Sequence, residues 1–334
     1  MIIVVPRDHA KPSGGNIFNL LFVRALEKQG IEVEALTPGP ALSRMKKAEA
    51  GSWWVDSLCF DELDPFIALQ GEKRRVYALI HSLPSLDPGL STAERRKEIA
   101  KERRQLGGVS GFLVTSQWTR ALLRKRGLAG QKPVLVVPPA PAVVPGRRRA
   151  PGRGFSGLMV NNLIRRKGVL EFLKSLSRRL RPSDRFRLRI AGRSDIEPDY
   201  ARACLELVGR NEPLRRRVTF LGPLSLAGIK RCYESATVFI TASAVETFGM
   251  AVQEARLFRL PVLALDADYS RRRLGPGRSG VLVRTVPDLA EACLKFSRDQ
   301  AAFEELVRRS RAGAPPVTYD WADAARLFLQ QLPR

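Results

Sequence analysis

Two carboxylates eight positions apart frame the segment Val245-Glu246-Thr-Phe-Gly-Met-Ala-Val-Gln-Glu254. The segment follows the apolar run Val238–Thr241, and its spacing predicts a helix from Met250 to Phe258. Glu246 then lies in the loop before that helix, and Glu254 lies about two turns along it. The first amides of a helix have no internal partners and favour an anion. Amides around Phe248, Gly249 and Met250 could therefore hold a diphosphate while Glu246 and Glu254 take sugar hydroxyls. A loop acid followed by an ordinary surface Glu is the plainer reading of the same spacing. A second place for a ligand is Pro12-Ser-Gly14-Gly15-Asn16, which follows the first apolar run and leads into a helix expected at Ile17. Two glycines let a ligand approach the backbone closely, and a simple turn would need them equally.

The chain has two histidines. His81 ends the run Val76-Tyr-Ala-Leu-Ile-His81, at the carboxyl edge of an expected strand, where ligands of such sheets bind. A structural histidine closing a strand is the alternative, and His9, ahead of the glycine pair, is a rim residue. Asp266-Ala-Asp268 has the spacing of a metal-holding acid pair but is taken as two loop acids. Cys59, Cys204, Cys232 and Cys293 stand far apart with no CxxC, so no zinc site is expected and a reducing compartment fits. Neither GxGxxG after the first strand nor GxxxxGK[ST] anywhere is present, which removes the dinucleotide and P-loop fingerprints.

These groups must be positioned by an α/β scaffold. Short apolar runs alternate with amphipathic stretches over 334 residues, 44% of them apolar, which is too long for one core. Strands are expected at Ile2–Pro6, Glu32–Leu36, Trp54–Cys59, Val76–His81, Phe112–Thr115 and Val134–Val137. A second set falls at Gly157–Val160, Arg187–Ala191, Val218–Leu221, Val238–Thr241, Val262–Leu265 and Val281–Arg284. Helices are expected at Ile17–Gln29, Thr92–Gln105, Trp118–Arg126, Val169–Leu180, Tyr200–Arg210, Leu226–Glu234 and Leu289–Arg309, with Gly30 and Gly127 as stops. The stretch 138–154, rich in Pro, Gly and Arg, reads as a linker. Two doubly wound, Rossmann-like domains facing across a cleft follow: 1–145, 146–315, and a terminal helix over 316–334. Ligands in such sheets bind beyond the carboxyl ends of the strands. No leader and no membrane-spanning run is expected, which points to a cytoplasmic protein, either soluble or peripheral on a membrane.

Several further pieces stand in order: Arg166-Lys167-Gly-Val169, Ile190-Ala-Gly192, Val218-Thr-Phe-Leu-Gly222, Ala236-Thr-Val-Phe-Ile240 with Ala242-Ser243, Leu260-Pro-Val262 and Ser279-Gly-Val-Leu-Val283. Together with the Glu-x7-Glu segment, this order resembles the retaining, nucleotide-sugar-dependent glycosyltransferases of family 4, which have the two-domain GT-B fold. The resemblance implies transfer of a sugar from a UDP- or GDP-sugar to an acceptor hydroxyl on a glycan, lipid-linked or small-molecule acceptor. The setting it suggests is cell-surface polysaccharide or glycolipid synthesis. By the same resemblance Lys167 pairs with the donor diphosphate, Glu254 holds the ribose and Glu246 contacts the donor sugar. Phe248, Gly249 and Met250 approach the phosphates, Gly14 and Gly15 lie under the donor, and His81 stands beside sugar and acceptor. Asn162, Arg166 and Gly192 complete the donor-binding set, with no cofactor and no metal. Asn161 and Asn162 stand where the family commonly has an arginine, so diphosphate neutralisation leans on Lys167 with Arg165 or Arg166. The stretch Tyr319–Gln331, with Trp321, Ala325 and Phe328 on one face, matches a terminal helix that in the family crosses back to the N-terminal domain.

The 57 Lys+Arg against 33 Asp+Glu leave a net charge of +24. Clusters at Lys73–Arg75, Arg95–Arg104 and Arg120–Arg126 are candidates for an anionic membrane or acceptor, with Trp53-Trp54 able to insert at an interface or to start a core strand. A degenerate glycosyltransferase-like module that binds nucleic acid or membrane is the competing reading, although no nucleic-acid motif is visible. Solvated surface arginine is the generic one.

Overall fold

The computed structural model describes residues 1–146, 154–274, 280–313 and 318–332. Among them no helix is long and apolar enough to cross a membrane. The chain divides into two compact units, Met1–Ala140 together with the chain from Tyr319, and Pro141–Thr318. The division falls within the proline-rich stretch.

The first unit is built on a six-stranded sheet in the order β2-β1-β3-β4-β5-β6. Its strands are β1 (Ile2–Val4), β2 (Glu34–Leu36), β3 (Gly51–Asp56), β4 (Arg74–Ile80), β5 (Gly111–Val114) and β6 (Val134–Val136), and all neighbours pair in parallel. Parallel strands covered on both faces read as unbroken apolar runs, as Val76–Ile80 does. Trp53 and Trp54, adjacent on β3, point to opposite faces and are each 1% exposed. Trp53 joins Val4, Phe66 and Phe112 in one layer, while Trp54 joins Phe18, Phe22 and Phe328 in the other. Neither is available to a membrane interface: in the middle of a parallel sheet both faces are core.

The terminal helix Trp321–Gln331 belongs to this unit. Phe328 meets Phe22 and Trp54 edge to face at 5.2 and 5.1 Å, and Trp321 meets Phe18 at 5.5 Å. Gln331 acts as an extra strand-edge partner, its Oε1 accepting from the Val136 amide at 3.0 Å and its Nε2 donating to the Val136 carbonyl at 3.2 Å.

The second unit repeats the plan, with order β12-β11-β10-β7-β8-β9. Its strands are β7 (Ser156–Val160), β8 (Arg187–Ala191), β9 (Val218–Gly222), β10 (Val238–Thr241), β11 (Val262–Leu265) and β12 (Gly280–Val283), again all parallel. The single helix expected over Leu289–Arg309 is two, Val286–Arg298 and Gln300–Ala312. Asp299 leaves the helical region (φ −105°, ψ 93°) and its side chain accepts from the Ala302 amide at 2.9 Å. That cap restarts the helix, a short polar signal hidden inside a continuous amphipathic pattern.

Helices Pro38–Lys47 and Asp268–Leu274 were also not expected. The first opens on Pro-Gly-Pro, which resembles a loop but suits a helix start, since proline at the first position forfeits no internal bond. All four cysteines are buried and free.

Candidate functional site

Lys167 and Glu246 meet in the second unit although 79 positions separate them. The reason is local to two strand exits. β7 and β10 are hydrogen-bonded parallel neighbours, so the segments leaving their carboxyl ends emerge side by side. From β7 the chain makes a 3-10 turn over Arg165–Lys167 and then enters helix Val169–Ser177 through Gly168, at φ +67°. A Cβ at Gly168 would stand 2.6 Å from the Ala242 carbonyl, just beyond β10. Glycine thus lets the Lys167 turn press on the exit of β10, whose next residues carry Glu246. Lys167 Nζ is bonded to Glu246 Oε1, and Arg166 Nη1 lies 3.9 Å from Glu246 Oε2. Burial pushes the Glu246 carboxyl up, but the Lys167 ammonium and Arg166 guanidinium outweigh it and hold the group below the usual range.

Phe248 is buried, and Gly249 caps helix Met250–Leu257 with φ +83°, a left-handed conformation that glycine adopts without strain. A Cβ there would stand 3.2 Å from the Tyr269 ring. Gly192, after β8, is equally constrained, since a Cβ would fall 2.0 Å from the Asn161 carbonyl. Asn162 Oδ1 accepts from the Arg193 amide at 3.0 Å, so this side chain braces the loop after β8. Asn161 is 5% exposed and its Nδ2 has no partner among the described residues.

Glu254 differs from the surface carboxylate that spacing alone allowed. It is 5% exposed, and its Oε1 accepts from the Ala142 amide at 3.0 Å, at the start of the second unit. Burial raises its carboxyl from 4.5 to about 7, against the lowering effect of hydrogen bonds from Ala142, Tyr233 and Val143. Asp266 and Asp268 are paired with Arg271 and Arg272 respectively. Among the described residues no acid, histidine or cysteine group of three or more has metal-binding geometry.

A separate cluster forms in the first unit. Gly14 and Gly15 open helix Gly14–Lys28 rather than preceding it, with Ser13 as the cap accepting from the Asn16 amide at 3.2 Å. Gly15 rests on His81: a Cβ there would stand 2.9 Å from His81 Cδ2. His81 Nε2 lies 3.0 Å from Asn19 Oδ1 and 3.4 Å from Asp56 Oδ2. Asn19 Nδ2 donates to the same Asp56 oxygen at 2.5 Å, so the histidine nitrogen facing both acceptors carries the proton. Ser57 Oγ accepts from the His81 amide at 2.9 Å, and Phe18 stands edge-on to the ring at 5.1 Å. The sequence reading missed Asp56 and Asn19. The signal for Asp56 was available, because a carboxylate directly closing the apolar run Trp53-Trp-Val55 is expensive to bury without a purpose. His9 bonds the Pro6 carbonyl at 3.0 Å through Nδ1.

Part of the basic clustering is structural. Arg95 donates to the carbonyls of Ser85 and Asp87 at 2.5 and 2.7 Å, Lys101 pairs with Asp61, and Arg104 with Asp64 at 3.2 Å. Arg126 meets Ser85 Oγ at 2.6 Å beside the buried Glu102. Arg96, Lys97 and Arg103 remain exposed on helix Thr92–Gly108.

Residues 154–299 match the glycosyl transferases group 1 family. A phosphatidyl-myo-inositol mannosyltransferase of Mycobacterium leprae is 32% identical over 169 residues, 49% of this chain and 42% of that protein. A D-inositol 3-phosphate glycosyltransferase of Gordonia bronchialis is 31% identical over 105 residues, 31% of this chain and 23% of that protein. The chain thus matches less than half the length of either relative.

Sucrose-phosphate synthase from Thermosynechococcus elongatus superposes with a TM-score of 0.78 at 19% identity, covering 98% of this chain and 97% of that one. HepE of Anabaena, solved with UDP and glucose, gives 0.73 at 16% identity, covering 98% of each. Two parallel six-stranded sheets with these neighbours make the fold the two-domain α/β GT-B type.

Proposed function

We propose that the protein is a glycosyltransferase that moves a sugar from a nucleoside-diphosphate sugar, UDP- or GDP-linked, to an acceptor hydroxyl with retention at the anomeric carbon. The observation that carries this reading is the partly buried Lys167–Glu246 pair beside the Gly249-capped helix, inside the region that matches the group 1 family. In the reaction the bond from the anomeric carbon to the diphosphate oxygen breaks and a bond to the acceptor oxygen forms. The acceptor proton passes to the departing phosphate oxygen. Lys167, Arg166 and the amides at Gly249 and Met250 stabilise the charge that develops there, in a site drier than water. Glu246 orients Lys167 and meets the sugar hydroxyls, while Glu254 holds the ribose. Gly192 and Asn162 shape the loops around the donor; in the first unit Gly14 and Gly15 are assigned to the donor and His81 to the sugar and acceptor. No metal is required, Asp266 and Asp268 being engaged by arginines. A polyol acceptor suits a site of this kind, and both curated relatives are named for inositol-based compounds.

Thermal shift with UDP, GDP, ADP and their sugar conjugates tests the reading, because a ligand bound to the native state raises its melting temperature by mass action. One nucleotide class raises the melting temperature of the wild type, and Lys167→Met abolishes the rise. No response to any nucleotide, or EDTA-sensitive transfer restored by manganese, contradicts it.

A further inference from the structure

Arg273 is a cation for which the described residues offer no carboxylate partner. On helix Asp268–Leu274, it holds its guanidinium 3.5 Å from the centre of the Phe248 ring and donates from Nε to the Phe248 carbonyl at 2.9 Å. Among the described residues no carboxylate pairs with Arg273, and the remaining segments contain no Asp or Glu. The charges acting on it are those of Arg272 and Arg256, both of its own sign. Burial and these neighbours push its guanidinium down to about 10, which leaves it charged at neutral pH.

The neighbouring cations are engaged elsewhere. Lys167 bonds Glu246, Arg271 bonds Asp266 and Arg272 bonds Asp268. Arg256 donates to the carbonyls of Arg273 and Gly313. Phe248 stands immediately before Gly249, the cap of helix Met250–Leu257, so Arg273 adds positive charge where the helix already presents its positive end. Two like potentials brought together out of water cost free energy unless an anion meets both.

The charge balance of the proposed donor site points the same way. Lys167 and Glu246 cancel one another, so of this cluster only Arg166, 3.9 Å from Glu246, is left as net positive charge against the two charges of a diphosphate. Asn161 and Asn162 carry no charge; the buried, unpartnered Nδ2 of Asn161 adds only a donor at the exit of β7, the strand from which the Lys167 turn departs.

We propose that Arg273, seated on Phe248, contacts the donor's diphosphate and supplies the positive charge that the Lys167–Glu246 pair cannot. The proposal rests on the glycosyl-transfer reading and deepens it. It makes Arg273 a determinant of diphosphate affinity rather than of base recognition.

The test is calorimetric titration of UDP and GDP, with uridine and guanosine followed by ligand-observed NMR, into wild type, Arg273→Met and Arg273→Lys. Methionine keeps an apolar stem over Phe248, and lysine keeps the charge. Expected is at least a tenfold loss of diphosphate affinity in R273M, a smaller loss in R273K, and unchanged nucleoside binding in both. Diphosphate affinity within twofold of wild type in R273M overturns the proposal. So does an equal loss of nucleoside and diphosphate, which marks Arg273 as a structural prop. If R273M melts far below wild type, the R273K comparison decides alone: a loss of diphosphate affinity with nucleoside binding unchanged supports the contact, and unchanged diphosphate affinity or equal loss of both rejects it. Wild type that binds neither diphosphate ends both readings, whereas loss in Lys167→Met but not in R273M ends this one only.

Discussion

Lys167 and Glu246 are bonded to each other with side chains only 14% and 15% exposed, each from a different strand exit of the second sheet. Removing Glu246 takes away the acid that Lys167 bonds, and removing Lys167 leaves Glu246 only Arg166 at 3.9 Å; breaking a buried pair typically costs about 3–5 kcal/mol, an upper bound for Glu246. Lys167→Met and Glu246→Gln are therefore each expected to lower the midpoint of denaturant unfolding. The double variant is expected to recover part of the loss while remaining inactive in sugar transfer. Additive losses in the double-variant cycle would show that the two residues do not act as a pair.

Glu254 makes stability depend on pH in a stated direction. Its carboxyl titrates at about 7 in the folded chain against 4.5 ordinarily, so between those values the native state holds a proton that the unfolded state has released. Stability from this group is complete below about pH 4.5 and declines as pH rises to about 7, by at most about 3 kcal/mol. Glu254→Gln is expected to flatten this part of the pH profile of the melting temperature. An unchanged slope in the variant would contradict the assignment.

Gly14 and Gly15 are predicted to respond oppositely to alanine. A Cβ at Gly14 meets nothing within 4 Å, while one at Gly15 meets His81 Cδ2 at 2.9 Å. Gly14→Ala is expected to be neutral or to stabilise by up to about 1 kcal/mol through helix propensity. Gly15→Ala must displace a ring held by Asn19, Asp56 and Phe18, at about 1–3 kcal/mol. Thermal melts of the two variants, with NMR of the His81 ring, check the contrast.

Phe328 fixes the terminal helix to the first unit. It is 1% exposed against Phe22 and Trp54, and Phe328→Ala is expected to cost about 3–5 kcal/mol. Protection of Phe22 and Trp54 amides in hydrogen exchange should fall in the variant; unchanged protection would show that the helix is dispensable to this core.

The sequence by itself determined the architecture. Alternating apolar runs and amphipathic stretches located the twelve strands of the described residues, β3 starting three residues before the expected Trp54, because parallel strands buried on both faces need continuous apolar residues wherever they sit. Local chemistry also marked Glu246 as a loop acid and the helix start at Gly249, whereas Lys167 was singled out only through the family resemblance. The sequence did not show that Asp299 splits a helix, because a single polar cap leaves the amphipathic period intact on either side.

Tertiary structure alone decided what each charge faces. Glu254 looks like any helical glutamate in sequence, yet packing buries it on the Ala142 amide. Asp56 lies 25 positions from His81, and only the pairing of β3 with β4 sets the carboxylate under the imidazole. Arg273 is one of three consecutive arginines, of which two find acids and one finds a phenyl ring. Net charge is a sum over residues and is fixed by composition, whereas compensation is a matter of distance and burial, which the fold assigns one side chain at a time.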